Sequence, residues 1–202
     1  MTGRRTAPLA LVGLCLSVTL GCGVRSSSDS SVPSKPQEKI SVDWIGFSGV
    51  EPMAINSDLV LLGTVVKVEP GRKVGAGAEQ IQYRDVTVKI ERLALCRLSS
   101  SPVTAIVQEL GWSNGKSVEP SDMPWSENGD RGYFFLQNDV PGKFGYVGRQ
   151  GRVLIDSGKV ESVGLNATTP VALAQQIDAA VAKIKAENIP NPPGLAMGDG
   201  GR

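Results

Sequence analysis

Apolar and polar residues alternate most regularly over residues 57–95, where SDLVLLGTVVKVEP and IQYRDVTVKIERL flank the stretch GRKVGAGAEQ. Val, Leu and Ile dominate both flanks, with polar residues alternating in at Lys67, Glu69, Thr87, Lys89 and Glu91. The pattern predicts two long strands joined by a flexible Gly-rich loop over 71–77. Residues 59–62 are apolar on both faces, whereas Val66 and Val68 alternate with Lys67 and Glu69, so one end of the first strand should be buried on both sides. In the second strand Ile81 and Tyr83 share one parity while Val86, Val88 and Ile90 share the other. A β-bulge is therefore expected near Arg84–Asp85, and Gly63 suits a bend in the first strand.

Further strands are expected over 103–110, 132–136, 144–147, 152–155 and 160–163, divided by Asn114-Gly115, a Pro-, Ser- and acid-rich loop over 116–130, Gly148, Gly151 and Asp156-Ser157-Gly158. Two helices frame them. A short one opens at Ser48 with Glu51 and Pro52 in its first turn, and Trp44 and Phe47 beside it should seal one end of the core. A longer one starts at Thr168-Thr169-Pro170 and places Leu173, Ile177, Val181 and Ile184 on one face, fit to pack on the strands or cover an opening. The expected fold is mainly β: a small antiparallel barrel or sandwich with a short N-terminal helix and an amphipathic C-terminal helix.

Composition narrows the chemistry. The 202 residues suffice for one domain with flanking segments, and with no histidine the chain cannot supply a Ser-His-Asp triad, a Cys-His dyad or a His-based zinc site. The formal charge is +1, and removal of a leader carrying Arg4 and Arg5 would take the basic residues just below the acidic ones, with no basic stripe to bind nucleic acid. Of Cys15, Cys22 and Cys96, only Cys96 would remain inside the domain, where neighbouring leucines predict a buried, inert thiol.

Residues 1–21 have the parts of a secretory signal: a basic start at Arg4-Arg5, an apolar run too short to span a membrane, and a small residue, Gly21, before Cys22. The sequence T-L-G-C resembles the lipobox of bacterial lipoproteins, although Thr19 stands where that pattern usually has Leu. The resemblance implies a diacylglycerol thioether on Cys22, hence a lipid-anchored location on the extracytoplasmic face of the cell membrane. Residues 22–43 read as a disordered polar tether whose ~20 residues span ~25 Å on average and ~65 Å when stretched. Residues 44–189 read as the single domain and 190–202 as a disordered tail.

The segments VLLGTV and GDRGYFFL, with residues 86–93 between them, resemble a pattern of small secreted lipoproteins of actinobacteria, and the strand order is distantly similar to the OB-type barrel of netrin-like and tissue-inhibitor-of-metalloproteinase domains. That similarity implies an OB-like barrel but carries over no functional residue, since the cysteines that mark those inhibitors are missing.

Candidate chemistry is confined to a few places. Trp112 and Trp125 flank a loop with Glu119, Asp122, Glu127 and Asp130, a composition that suits a sugar platform in which an indole stacks beside carboxylate acceptors. The same loop has oxygen ligands for calcium without the spacing of an EF-hand, so a solvated acidic loop is its default reading and no metal or other cofactor is assigned. Ser113-Asn114-Gly115-Lys116 has the form S-x-x-K, yet Asn-Gly favours a hairpin turn over the helix a Ser-Lys nucleophile needs. The expected function is non-catalytic: a membrane-anchored binding or accessory module for an envelope protein or glycan, contacted through Trp112, Trp125, Asp122, Glu127 and Asp130. The opposing expectation is an envelope hydrolase using carboxylates or the Ser113-Lys116 pair.

Overall fold

The computed structural model describes residues 35–43, 45–161, 165 and 169–190; the leader, Cys22, Trp44 and the tail beyond Pro190 lie outside them. In chain order the elements are β1 (Glu38–Ile40), α1 (Val50–Ile55), β2 (Leu59–Val74), β3 (Ile81–Cys96), β4 (Thr104–Ser113), β5 (Lys116–Pro120), β6 (Arg131–Val140), β7 (Lys143–Tyr146), β8 (Arg152–Asp156), β9 (Lys159–Glu161) and α2 (Pro170–Ala186). The fold is mainly β, a nine-stranded sheet with two helices. Along the sheet the order is β1-β5-β4-β3-β2-β6-β8-β9, and β7 pairs with both β6 and β4. Pairing thus runs from β4 through β3, β2, β6 and β7 and returns to β4, where the parallel strands share one register pair, Val107 with Phe144.

The apolar stretch at the start of β2 is buried on both faces, as its pattern predicts, because two cores meet there. Leu59, Leu61 and Val65 join Val86, Val88, Val107, Phe134, Leu136 and Phe144 in one cluster. Val60 points the other way, into a second cluster with Tyr133, Phe135, Val153 and the helical residues Met53, Leu173, Ile177, Val181 and Ile184. The stripe on α2 is therefore spent on the sheet and on α1, and Thr169 caps the helix by accepting the Ala172 amide at 3.2 Å. Among the described residues no helix is long and apolar enough to cross a membrane.

Several expectations are corrected. Most of the expected loop over 71–77 is strand: Gly71 lies so close to β3 that a Cβ there would meet Asp85 Oδ1 at 2.5 Å, and Arg72 lies over the Tyr83 ring at 4.9 Å. The turn proper begins at Gly75 and uses positive φ at Gly75 and Gly77. The bulge expected near Arg84–Asp85 is present just before it, where the pairing with β2 shifts between Pro70 and Lys73, opposite Arg84 and Gln82. Arg84 occupies the inward position of Val86 and Val88, and the register shift against β4 falls at Gln82/Tyr83. The segment read as an acidic loop begins with a strand, β5, whose Ser117, Val118 and Glu119 are buried.

The tether also ends earlier than expected. Glu38–Ile40 pairs in parallel with 118–120, and Glu38 and Lys39 bond Lys116 and Glu119 at 2.5 and 3.7 Å, so an exposed strand edge orders a polar segment with no apolar pattern of its own. Cys96 is only half-buried at the end of β3, packed against the core beside Leu93 and Leu98 with its thiol 3.8 Å from the Ser100 carbonyl oxygen.

Candidate functional site

The inward parity of β3 and β4 places Arg84 and Glu109 directly opposite each other in register. At the same end of the interior stand Tyr146, last residue of β7, and Arg152, first of β8. All four are enclosed, with 5%, 3% and 4% of the side chain exposed for Arg84, Glu109 and Arg152. Charge in such a place must be paired. Glu109 Oε1 accepts the Tyr146 hydroxyl at 2.8 Å, the Ser126 hydroxyl at 2.5 Å and Arg152 Nη1 at 3.3 Å, while Oε2 accepts Arg84 Nη1 at 3.3 Å and the Ser126 amide at 3.1 Å. Arg152 also donates to Ser126 Oγ and to the Pro124 carbonyl. Arg84 donates to the Ser126 carbonyl at 3.1 Å, and its guanidinium lies 4.3 Å from the centroid of the Trp125 ring.

The cluster fixes the segment 124–126 against the strands. Trp125 is fastened at both ends, its amide donating to Glu119 Oε1 at 2.7 Å and its indole N–H to the Leu110 carbonyl at 2.9 Å. With 7% of its surface exposed it is a wall and not the open sugar platform expected of it.

Burial pulls Arg84 below the ordinary guanidinium value, opposed by the Glu109 carboxylate. Burial, aided by Glu109, raises the Tyr146 hydroxyl far above the ordinary phenol value. Because that value is raised in the folded chain, the stabilisation is fully present below ~10, where the unfolded tyrosine ionises, and is lost as pH rises past it. Tyr146→Phe should therefore lose stability less steeply than the parent between about pH 9 and about pH 11 in denaturant titrations. Parallel curves for the two proteins would contradict this assignment.

Two hollows flank the fixed tryptophan. The first, a cleft of about 270 Å³, lies where β4 and β7 diverge beyond Val107 and Phe144; its walls include Tyr83, Leu110, Met123, Trp125, Gln137 and Asn138. Glu109 and Tyr146 of the buried cluster also line it, and Val42, just beyond β1, contributes from the N-terminal side. A polar strap from five strands holds this seam. Arg72 bonds Asp139 at 2.7 Å and Gln108 at 2.6 Å, Gln108 bonds Asp85 at 3.0 Å, and Lys143 bonds Asp85 at 2.5 Å.

The second hollow, about 370 Å³, brings together four of the five expected site residues, Asp122, Trp125, Glu127 and Asp130, with Arg149, Arg152 and Glu161. Asp130 accepts the Glu127 amide at 2.9 Å, and Asp122 Oδ1 is buried without a partner among the described residues. No group of three acidic or cysteine side chains there, or elsewhere among the described residues, is placed to hold a metal ion. Trp112 lines neither hollow; it sits half-buried on β4, paired with Gln82 and Ser117. Ser113 and Lys116 face each other across the expected hairpin, where Asn114 and Gly115 have φ of 53° and 75° and Lys116 is bonded to Glu38.

Sequence reasoning missed Arg84, Glu109, Ser126, Tyr146 and Arg152. The signal was present in Arg84 and Glu109, which stand at inward parity in otherwise apolar strands. No protein-family model and no curated protein sequence matches the chain.

Proposed function

We propose that this chain is a non-catalytic binding or accessory module, held on the outer face of the cytoplasmic membrane by a lipid on Cys22, that receives an envelope component at the cleft between β4 and β7. On this reading β2, β3, β4, β6 and β7 form an OB-like barrel and the cleft is its seam. One observation carries the proposal: a preformed, largely apolar hollow stands on a buried, hydrogen-bonded cluster against which Trp125 is fastened at both ends. Such pre-organisation favours binding, since little side-chain freedom is left to lose when a ligand arrives.

The same bonds disfavour a hydrolase built on Glu109, Ser126 or the Ser113-Lys116 pair. Glu109 has both oxygens occupied by five donors, Ser126 is fully enclosed, and Lys116 is engaged by Glu38. A general base or nucleophile needs a free lone pair within reach of substrate.

A photoreactive residue at Ser41, exposed beside Val42, tests the reading in cells, with the same residue at Val171 on α2 as control. The expected result is an envelope adduct from Ser41 alone. Identical adducts from both positions, or none from Ser41, would remove the cleft as a contact site. Cys22→Ala should move the protein from the membrane fraction to the soluble one, and unchanged fractionation would remove the lipid anchor.

A further inference from the structure

One wall of the β4/β7 cleft belongs to the segment that leads in from the tether. β1 lies at the end of the sheet and pairs with β5 alone, over Glu38–Ile40. Its other edge is unpaired among the described residues, so it can leave without disturbing a second strand. The Gln37 amide donates to the Ser117 carbonyl at 3.0 Å and the Ser121 amide to the Ile40 carbonyl at 2.8 Å. The ion pairs beside them, Glu38 with Lys116 and Lys39 with Glu119, leave both lysines exposed and add little to the ladder. Two residues beyond β1, Val42 lines the cleft together with Pro120, the partner of Ile40. Glu119 joins strap and wall: Oε2 faces Lys39 at 3.7 Å, and Oε1 accepts the Trp125 amide at 2.7 Å. A firm clamp follows at Phe47, whose amide donates to Gln150 Oε1 and whose carbonyl accepts from Gln150 Nε2, each at 3.0 Å.

From this arrangement we infer that residues 37–43 form a strap that gates the cleft. Paired with β5, the strap closes the N-terminal side with Val42; peeled away, with Phe47 as its fixed end, it opens that side to an entering ligand. A short edge strand with solvent-exposed bonds opens at a free energy well below that of global unfolding. The opposite walls belong to β3, β4 and β6, which sit in longer ladders and stay in place. Closure over the hollow of about 270 Å³ holds an occupant against escape, as lids do. Because the strap continues along the chain toward Cys22, whatever grips or draws on the tether acts on the cleft. The inference rests on the binding reading above and supplies the regulation of that site.

Hydrogen exchange on the full chain tests it, together with the rate at which N-ethylmaleimide labels a thiol placed in the cleft wall by Leu110→Cys, read by mass spectrometry at that position. The Gln37 and Ser121 amides are expected to exchange together, well ahead of the middle of β2. Lys116→Glu, which sets like charges against Glu38, should speed both amides about threefold and speed labelling by the same factor. Adding Glu38→Lys restores the pair with its charges reversed and should return both rates to those of the parent. Val42→Ala trims the wall and leaves the pairing, so it should speed labelling with the two amides unchanged. Amides as slow as the middle of β2, amides indifferent to Lys116→Glu, or labelling that fails to follow them overturns the gate. None of these rates needs a ligand. Should they fail while the Ser41 adduct persists, the binding reading stands and the gate falls; should they hold while Ser41 yields no adduct, the strap stands and the binding reading falls.

Discussion

Replacing Glu109 with Ala is expected to lower the stability of the fold by about 3–5 kcal/mol, because it leaves the Arg84 and Arg152 guanidinium groups enclosed without their shared carboxylate. Desolvation makes this loss large. An exposed pair such as Lys67 with Glu69, at 2.7 Å, should be worth under about 1 kcal/mol by comparison. The measurement is the urea midpoint at neutral pH, with the triple replacement of Arg84, Glu109 and Arg152 by Met, Leu and Met as companion. Removing all three charges together leaves no charge stranded, although the Tyr146 hydroxyl and the Ser126 amide lose their acceptor, so the triple variant should recover part of the loss. A Glu109→Ala midpoint within about 1 kcal/mol of the parent would mean that the cluster is not the electrostatic lock described here.

The second large effect concerns adjacent residues with opposite duties. Phe134 and Phe135 are both fully buried, yet alternation along β6 sends Phe134 into the strand-lined core and Phe135 into the core shared with α1 and α2. Each replaced by Ala should cost about 3–5 kcal/mol, through lost burial and the cavity left behind. The spectroscopic signatures should differ if the helices can loosen separately. Phe135→Ala is then expected to lose helical signal before strand signal on heating, and Phe134→Ala to lose both together. Coincident transitions in both variants would show instead that the two cores melt as one cooperative unit.

Legibility in the sequence followed the range of the forces involved. Strands β2 and β3 and helix α2 were readable because their signals are local: period-two alternation in Val86-Thr87-Val88, the helical spacing of Leu173, Ile177, Val181 and Ile184, and the cap at Thr169. The Asn114-Gly115 turn was readable for the same reason, since positive φ at both residues is a property of the pair itself. Strand β1 was not, because Glu38, Lys39 and Ile40 are ordered by a partner edge more than seventy residues away, as the 78-residue separation of Lys116 from Glu38 shows.

Buried charge misleads in a further way. Arg84, Glu109 and Arg152 look like surface residues until the strands that carry them are set side by side, and only the parity of Arg84 with Val86 and Val88, and of Glu109 with Ala105 and Val107, marks them as inward. Trp125, expected as an open platform, is buried. Its position is set by Glu119, six residues before it, and by Leu110 and Arg84, which are farther away in the chain.

Where β4 and β7 meet, one residue pair does the work that a full ladder from Leu59 with Cys96 to Val74 with Ile81 does between β2 and β3. Opening the sheet along that line breaks few amide bonds, so deuterium should enter around Phe144 through excursions far smaller than global unfolding, while the middle of β2 exchanges last. An occupant touching Asn138 on one side and Trp125 on the other would bridge that weak line like a rivet. Its arrival should slow exchange at the seam and raise the melting temperature in proportion to the logarithm of its concentration. Whatever fills the cleft then becomes a missing rung of the sheet, and occupancy can be followed as a mechanical property of the fold without any reaction to monitor.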